Sequence, residues 1–130
     1  MKIIAKTKVK VGGAKPQIPV IEGFCPMPDI AQLIGGKWKL IILQILIFQG
    51  LQRFSELRRR INGITQTMLT NQLRALEKDG LINRKVYAEV PPRVEYTATR
   101  RALALEPMFL AMHDWWMDEE KGGPKLGRKK

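Results

Sequence analysis

NGITQTMLTNQLRALEKDG, residues 62–80, begins on a turn dipeptide, Asn62-Gly63, and closes on Gly80. Glycine and asparagine punctuate chains in this way, so the residues between have the boundaries of one helix. Thr65 offers the side-chain oxygen an N-cap needs, which sets the helix at Gln66 to Asp79. At about 100° per residue, Leu69, Leu73 and Leu76 share one side, flanked by Met68 and Gln72, while Thr67, Thr70, Asn71, Arg74 and Lys78 gather opposite. The first side holds the helix on a core. The second presents short hydrogen-bonding groups and then a long cation. Arginine can pair with both guanine acceptors, asparagine with adenine, and a threonine methyl can meet that of thymine, so the face suits a major groove. The positive end of the helix, at Thr65 and Gln66, favours a nearby phosphate. The same residues also make an ordinary solvated face, and the flanking segments must decide.

Upstream, Phe54 to Arg60 reads as a short amphipathic helix, with Phe54, Leu57 and Ile61 in phase and an Arg58-Arg59-Arg60 run at its end. Before it, Lys37 to Gln49 is apolar nearly all round and should be the buried central helix, stopped by Gly50. A shorter helix is expected from about Pro28 to Ile34, ended by Gly35-Gly36. Downstream, Leu81 to Tyr87 reads as a strand and Arg93 to Thr97 as its return. Val90-Pro91-Pro92 between them cannot form a regular ladder, because proline lacks the N–H. A last helix starts near Thr99 and runs to about Glu119, bent or split at Pro107. Helix, helix, helix–turn–helix, hairpin, helix is the winged-helix order: a mainly α fold with a small β-hairpin wing.

The chain has 130 residues, enough for one core. The 45% hydrophobic content fits a globular domain. Its longest apolar run, LIILQILIF at 40–48, is too short to cross a bilayer. The N-terminus has lysines but no apolar h-region, so cytoplasmic residence and no membrane partner are expected. The net charge is +11, most of it terminal. Residues 1–23 hold five lysines and one glutamate, and residues 121–130 five basic residues and no acid. The middle, 24–120, carries 13 basic and 11 acidic residues. The organisation is therefore a basic arm (1–23, with a possible short edge strand at Thr7–Val11), a domain (24–120) and a basic tail (121–130). Basic tails suit a polyanion such as nucleic acid; they equally serve as solubilising, disordered ends.

Cys25 is the single cysteine, which excludes an intrachain disulfide and a cysteine-based zinc site. It stands just before the first helix, where partial positive charge lowers a thiol pKa; a reactive thiol, a bridge between two chains and a small packed hydrophobe are all open to it. His113, beside Asp114, has no second histidine to complete a metal site, and a structural or interface role is expected. No nucleophile–base order, phosphate loop or carboxylate pair is apparent, so neither catalysis nor a cofactor is expected.

With the segments placed, the chain resembles the HxlR family of bacterial and archaeal winged-helix transcriptional regulators, relatives of the MarR type. The matching stretches are CPMPDIAQLIGGKWKLIIL (25–43), RFSELRRRINGITQTMLTNQLRALEKDGLINRKVY (53–87) and EVPPRVEYTAT (89–99). The resemblance implies a homodimeric regulator on double-stranded DNA with a pseudo-palindromic operator. It makes Gln66 to Asp79 the recognition helix, with Thr67, Thr70, Asn71 and Arg74 facing bases. It sets Arg53 and Ser55 near backbone phosphate, and Lys85 and Arg93 of the wing near phosphate or minor groove. It makes a dimer seam of the first and last helices, with Ile30 and Leu33 on one and Leu105, Met108, Phe109, Met112, Trp115 and Trp116 on the other. Some members sense quinones, aldehydes or oxidants through the cysteine at the Cys25 position. The apolar last helix could also border a pocket for a small-molecule effector. The chain departs from the family in its long N-terminal arm, in Arg100-Arg101-Ala102 where many members read roughly ELG, and in its C-terminal GGPKLGRKK.

Two other functions compete with a sequence-specific regulator. A basic architectural protein would coat DNA through its tails with little sequence preference and lose it in moderate salt. A winged helix used for protein contact would carry apolar anchors, and the Thr/Asn/Arg face argues against that.

Overall fold

The computed structural model describes residues 26–118, 120 and 121. The arm with its possible strand at Thr7–Val11, Cys25, Glu119 and the tail beyond Lys121 lie outside the described residues. By internal contacts the chain divides into residues 1–32 and 33–130. The division falls within α1 (Met27–Ile34), which begins one residue earlier than the sequence suggests, with Asp29 in its first turn. The Ile30 N–H donates to the Pro26 carbonyl at 2.9 Å, opening the helix.

The second unit contains α2 (Lys37–Gln49), β1 (Gln52–Arg53), α3 (Phe54–Arg60), α4 (Gln66–Lys78), β2 (Ile82–Tyr87), β3 (Arg93–Ala98), α5 (Arg100–Leu103) and α6 (Glu106–Met117). Central α2 buries Ile42, Leu43, Ile45 and Leu46. Ile34, Leu57 of α3, Ile61, Ile64, Leu69, Leu73 and Leu76 of α4, Leu81, Ile82, Tyr96, Ala102 and Phe109 complete the core. Each fully buried leucine or isoleucine there contributes about 1.5–3 kcal/mol by leaving water.

The end of α4 shows how the sequence fixes an angle between elements. Asp79 caps the helix rather than belonging to it. The Gly80 N–H donates to the Glu77 carbonyl at 3.0 Å and the Leu81 N–H to that of Leu76 at 2.9 Å. This is a Schellman motif, and it needs the left-handed backbone that Gly80 supplies with φ of +76°. The chain then leaves α4 directly into β2.

Two expectations need correction. The hairpin is part of a three-stranded antiparallel sheet in the order β1-β3-β2, with β1 pairing Gln52 to Tyr96 and Arg53 to Glu95. Two residues carry no periodicity, so β1 left no signal. The last helix is two helices, and the break is at Ala104–Leu105. Pro107 stands in the first turn of α6, where its missing N–H would be unpaired in any residue.

Candidate nucleic-acid interface

Thr65 is the N-cap of α4: its hydroxyl accepts from the Met68 N–H at 3.1 Å. With Leu69, Leu73 and Leu76 buried, the opposite face is fixed outward, and Gln66, Thr67, Asn71, Arg74 and Lys78 are exposed. Thr70 is half-buried. It lines a cavity of about 160 Å³ with Leu73, Arg74, Glu77, Arg84 and Tyr96. Glu77, one turn beyond Arg74, is held from the sheet: Arg84 Nε donates to its Oε1 at 3.3 Å. Among the described residues Arg74 has no ion pair. Burial pushes the Tyr96 phenol up from its ordinary value, against the nearby Arg84 charge, so this wall of the cavity is a neutral hydroxyl.

The preceding helix places two more expected residues. Arg53 is the N-cap of α3, and its backbone N–H donates to Glu56 Oε1 at 2.8 Å. Its side chain and that of Ser55 are exposed. The arginine run is exposed throughout, but Arg60 Nε also donates to the buried Gln52 Oε1 at 3.0 Å. Arg60 is thus structural, because Gln52 would otherwise be a buried amide without a partner.

The wing is the turn between β2 and β3, and Val90 at its tip is 99% exposed. Strand register sets Lys85 opposite Glu95 and Tyr87 opposite Arg93, so all four share one face of the hairpin. Arg93 sits among them. Its Nη1 lies 3.1 Å from Glu89 Oε2, its Nε 3.3 Å from Glu95 Oε2, and its guanidinium stacks 3.9 Å from the Tyr87 ring centre. Lys85 Nζ approaches the same ring at 5.0 Å. Between the wing and the start of α3 lies an open cleft of about 420 Å³, lined by Arg53, Phe54, Ser55 and residues 89–94.

Of the expected seam, Ile30 belongs to the first unit and Leu33 packs against the core of the second. On α6 the six apolar residues do not share one role. Phe109 is 9% exposed, meets Phe48 edge-on at 6.3 Å and belongs to the core. Leu105 and Met108 pack against that core. Met112, Trp115 and Trp116 face outward, the two tryptophans 50% and 53% exposed. They are joined there by Leu103, Leu110 and Met117. Sequence reasoning missed these three, although they recur every seventh residue, which is a helical signal. His113 lies beside Asp114, its Nδ1 3.7 Å from a carboxylate oxygen. It also lines a cavity of about 240 Å³ with Gln44, Phe48, Phe109 and Leu110. The ion-paired Glu77, Glu89 and Glu95 were missed too; Glu77 meets Arg84 only through the fold, whereas Glu89 and Glu95 stand four and two residues from Arg93, and that spacing along the hairpin was the available signal. No single helix among the described residues is long and apolar enough to cross a membrane.

A family model described as HxlR-like helix-turn-helix matches residues 33–122. The HTH-type transcriptional regulator YdeP of Bacillus subtilis is 53% identical over 91 residues, covering 70% of each chain. A regulator of the same description from Methanothermobacter thermautotrophicus is 50% identical over 94 residues, 72% of this chain and 71% of that one. Among solved structures, the redox regulator HypR in its oxidized form matches with a TM-score of 0.65 at 48% identity, over 70% of this chain and 93% of that one. The reduced form of the transcriptional regulator YodB from B. subtilis matches at 0.62 and 35% identity, over 71% and 90%.

Proposed function

This chain belongs to the HxlR-like helix-turn-helix family and is a DNA-binding transcriptional regulator, and we propose that it reads its operator by laying α4 in the major groove. The observation that carries this reading is the division of α4 into a fully buried leucine face and an outward polar face whose Arg74 is unpaired among the described residues. Thr67, Thr70, Asn71 and Arg74 meet base edges, and Thr65, Gln66 and Lys78 lie along the groove walls. Arg53 and Ser55, beside the cleft under the wing, take backbone phosphate. Lys85 approaches it from the hairpin.

The molecule works as a C₂ homodimer. Support comes from the exposure of Leu103, Leu110, Met112, Trp115, Trp116 and Met117, large apolar groups that a monomer would leave in water. Two reading helices about 34–36 Å apart then call for a pseudo-palindromic operator. A thiol-reactive signal acting through Cys25 is supported by the likeness to a redox regulator, HypR. A small-molecule effector would instead find the cavity between Phe48 and Phe109. The protein acts as a regulator and not as an enzyme, in the cytoplasm and away from membranes. The architectural alternative is not favoured, because the relatives are transcriptional regulators matched through the folded domain and not through the basic tails.

The test is selection of bound genomic fragments, followed by competition between the selected site and random DNA across a salt series, with and without diamide. Recovery of a palindromic motif that holds its preference as salt rises supports the reading. Equal loss of both DNAs with salt refutes it, and a diamide response that persists in Cys25→Ser removes the thiol from the mechanism.

A further inference from the structure

We propose that Arg93 is a positioning residue of the wing, a clamp that sets the angle of the Ala88–Pro92 loop, and that its charge is not the wing's contact with DNA. The inference rests on the reading that the hairpin approaches DNA, and it changes how the hairpin does so. An arginine on a wing is ordinarily assigned to a phosphate or to the minor groove. Here the guanidinium is committed within the hairpin itself. It meets Glu89 of the loop through Nη1 at 3.1 Å and Glu95 of β3 through Nε at 3.3 Å, and it covers the Tyr87 ring at 3.9 Å. The Arg93 side chain is 28% exposed and that of Glu95 only 15%. The Nε atom is sealed from solvent yet makes no hydrogen bond of good angle, so electrostatic attraction to Glu95 is its compensation.

The charges close on themselves. Lys85 and Arg93 are the cations of this face, and Glu89 and Glu95 the carboxylates. A phosphate drawn to Arg93 would have to displace Glu89, leaving that carboxylate beside a polyanion. Beyond the clamp, the tip is Val90, Pro91 and Pro92, without a charged or hydrogen-bonding side chain and fully in solvent at Val90. Such a tip meets the sugar edges of a minor groove by shape, as apolar wing and wedge residues do. Its precision then depends on the loop being held. Arg93 holds it at both ends, since Glu89 precedes the tip and Glu95 follows it. Lysine cannot substitute: it is a point charge and cannot span two carboxylates and a ring at once.

The experiment has two arms on the full chain. In the free protein, amide hydrogen exchange from Val86 to Val94 should quicken in both Arg93→Lys and Glu89→Gln, because both break the clamp and neither involves DNA. With the operator, Arg93→Lys should weaken binding roughly three- to tenfold despite keeping the charge. Glu89→Gln should weaken it too, and the Glu89→Gln/Arg93→Gln double variant should be no weaker than Arg93→Gln alone and keep the wild-type salt dependence. The proposal is overturned if Glu89→Gln tightens binding while the double variant's salt dependence becomes shallower by about 0.9, the mark of one lost phosphate contact. It is also overturned if exchange across the hairpin is unchanged in Arg93→Lys. The exchange arm stands even if the wild type shows no operator preference, so failure of the clamp and failure of the DNA reading are separate results.

Discussion

α4 and α6 are of nearly equal length, 13 and 12 residues, and each has one face on the same core. They differ in what the other face offers. α4 sinks three leucines and turns outward threonines, an asparagine and an arginine, groups that water satisfies until something better does. α6 sinks only Phe109 and turns outward two tryptophans, two methionines and a leucine, groups that water penalises. The first helix is complete in one chain and exchanges solvent for a polar partner. The second leaves large apolar groups in water. Burial within the monomer therefore separates a polar outer surface from an apolar one, where hydrophobicity along the sequence does not.

The contrast can be broken first where it is strongest. Leu73→Ala on α4 should cost about 2–5 kcal/mol of stability by leaving a cavity in a fully packed core. Urea unfolding at several protein concentrations will show this as a shift that does not depend on concentration. Trp116→Glu on α6 should leave the fold intact but cost at least about 2 kcal/mol of self-association, as a central tryptophan does in an interface. Sedimentation should then move from dimer to monomer at micromolar protein. An unchanged profile would mean that the stripe on α6 is not the seam. Next, Arg74→Ala should weaken operator binding by about 1–3 kcal/mol and relax preference at one position per half-site, with far less effect on random DNA. Equal losses on both DNAs would turn α4 from a reader into a general anchor. The smallest effect is expected of Thr65→Ala, about 1 kcal/mol of stability through the lost cap on the Met68 N–H. Operator affinity should fall with stability and not beyond it. A larger loss of binding would assign the Thr65 hydroxyl to phosphate as well as to the cap.

Much of this was legible in the chain because local chemistry and tertiary structure agreed. Thr65, the leucine triplet and Gly80 set α4 by rules that act within one turn. Pro91 and Pro92 interrupted the hairpin where they had to. What stayed illegible depended on partners distant in sequence. Gln52 and Arg53 form a strand only because β3 is there to pair with them. Arg93 reads as a free cation until register brings Tyr87 of β2 against it, beside Glu95 two residues along its own strand. Phe109 reads as one of six seam residues, because period alone cannot say which side of an apolar helix meets the monomer's own core. The break before α6 was foreseen but misplaced, since proline suits a helix start as well as it suits a kink.

Thr99 has a consequence of a different kind. Its hydroxyl caps α5 at the Ala102 N–H, 3.2 Å away, and donates to the Gly80 carbonyl at 2.8 Å, while its own N–H reaches the Leu81 carbonyl at 3.1 Å. Arg101 adds a bond from Nη1 to the Asp79 carbonyl at 2.7 Å. The residues that close α4 and the first turn of α5 are thus bonded together, and the α5–α6 joint is itself hydrogen-bonded, Leu105 N–H to Ala102 carbonyl at 2.8 Å. No slack chain separates the two surfaces. The start of α5 is in this way bonded directly to the end of α4. In the proposed dimer, the seating of the tryptophans of α6 is therefore coupled to the spacing between the two α4 helices.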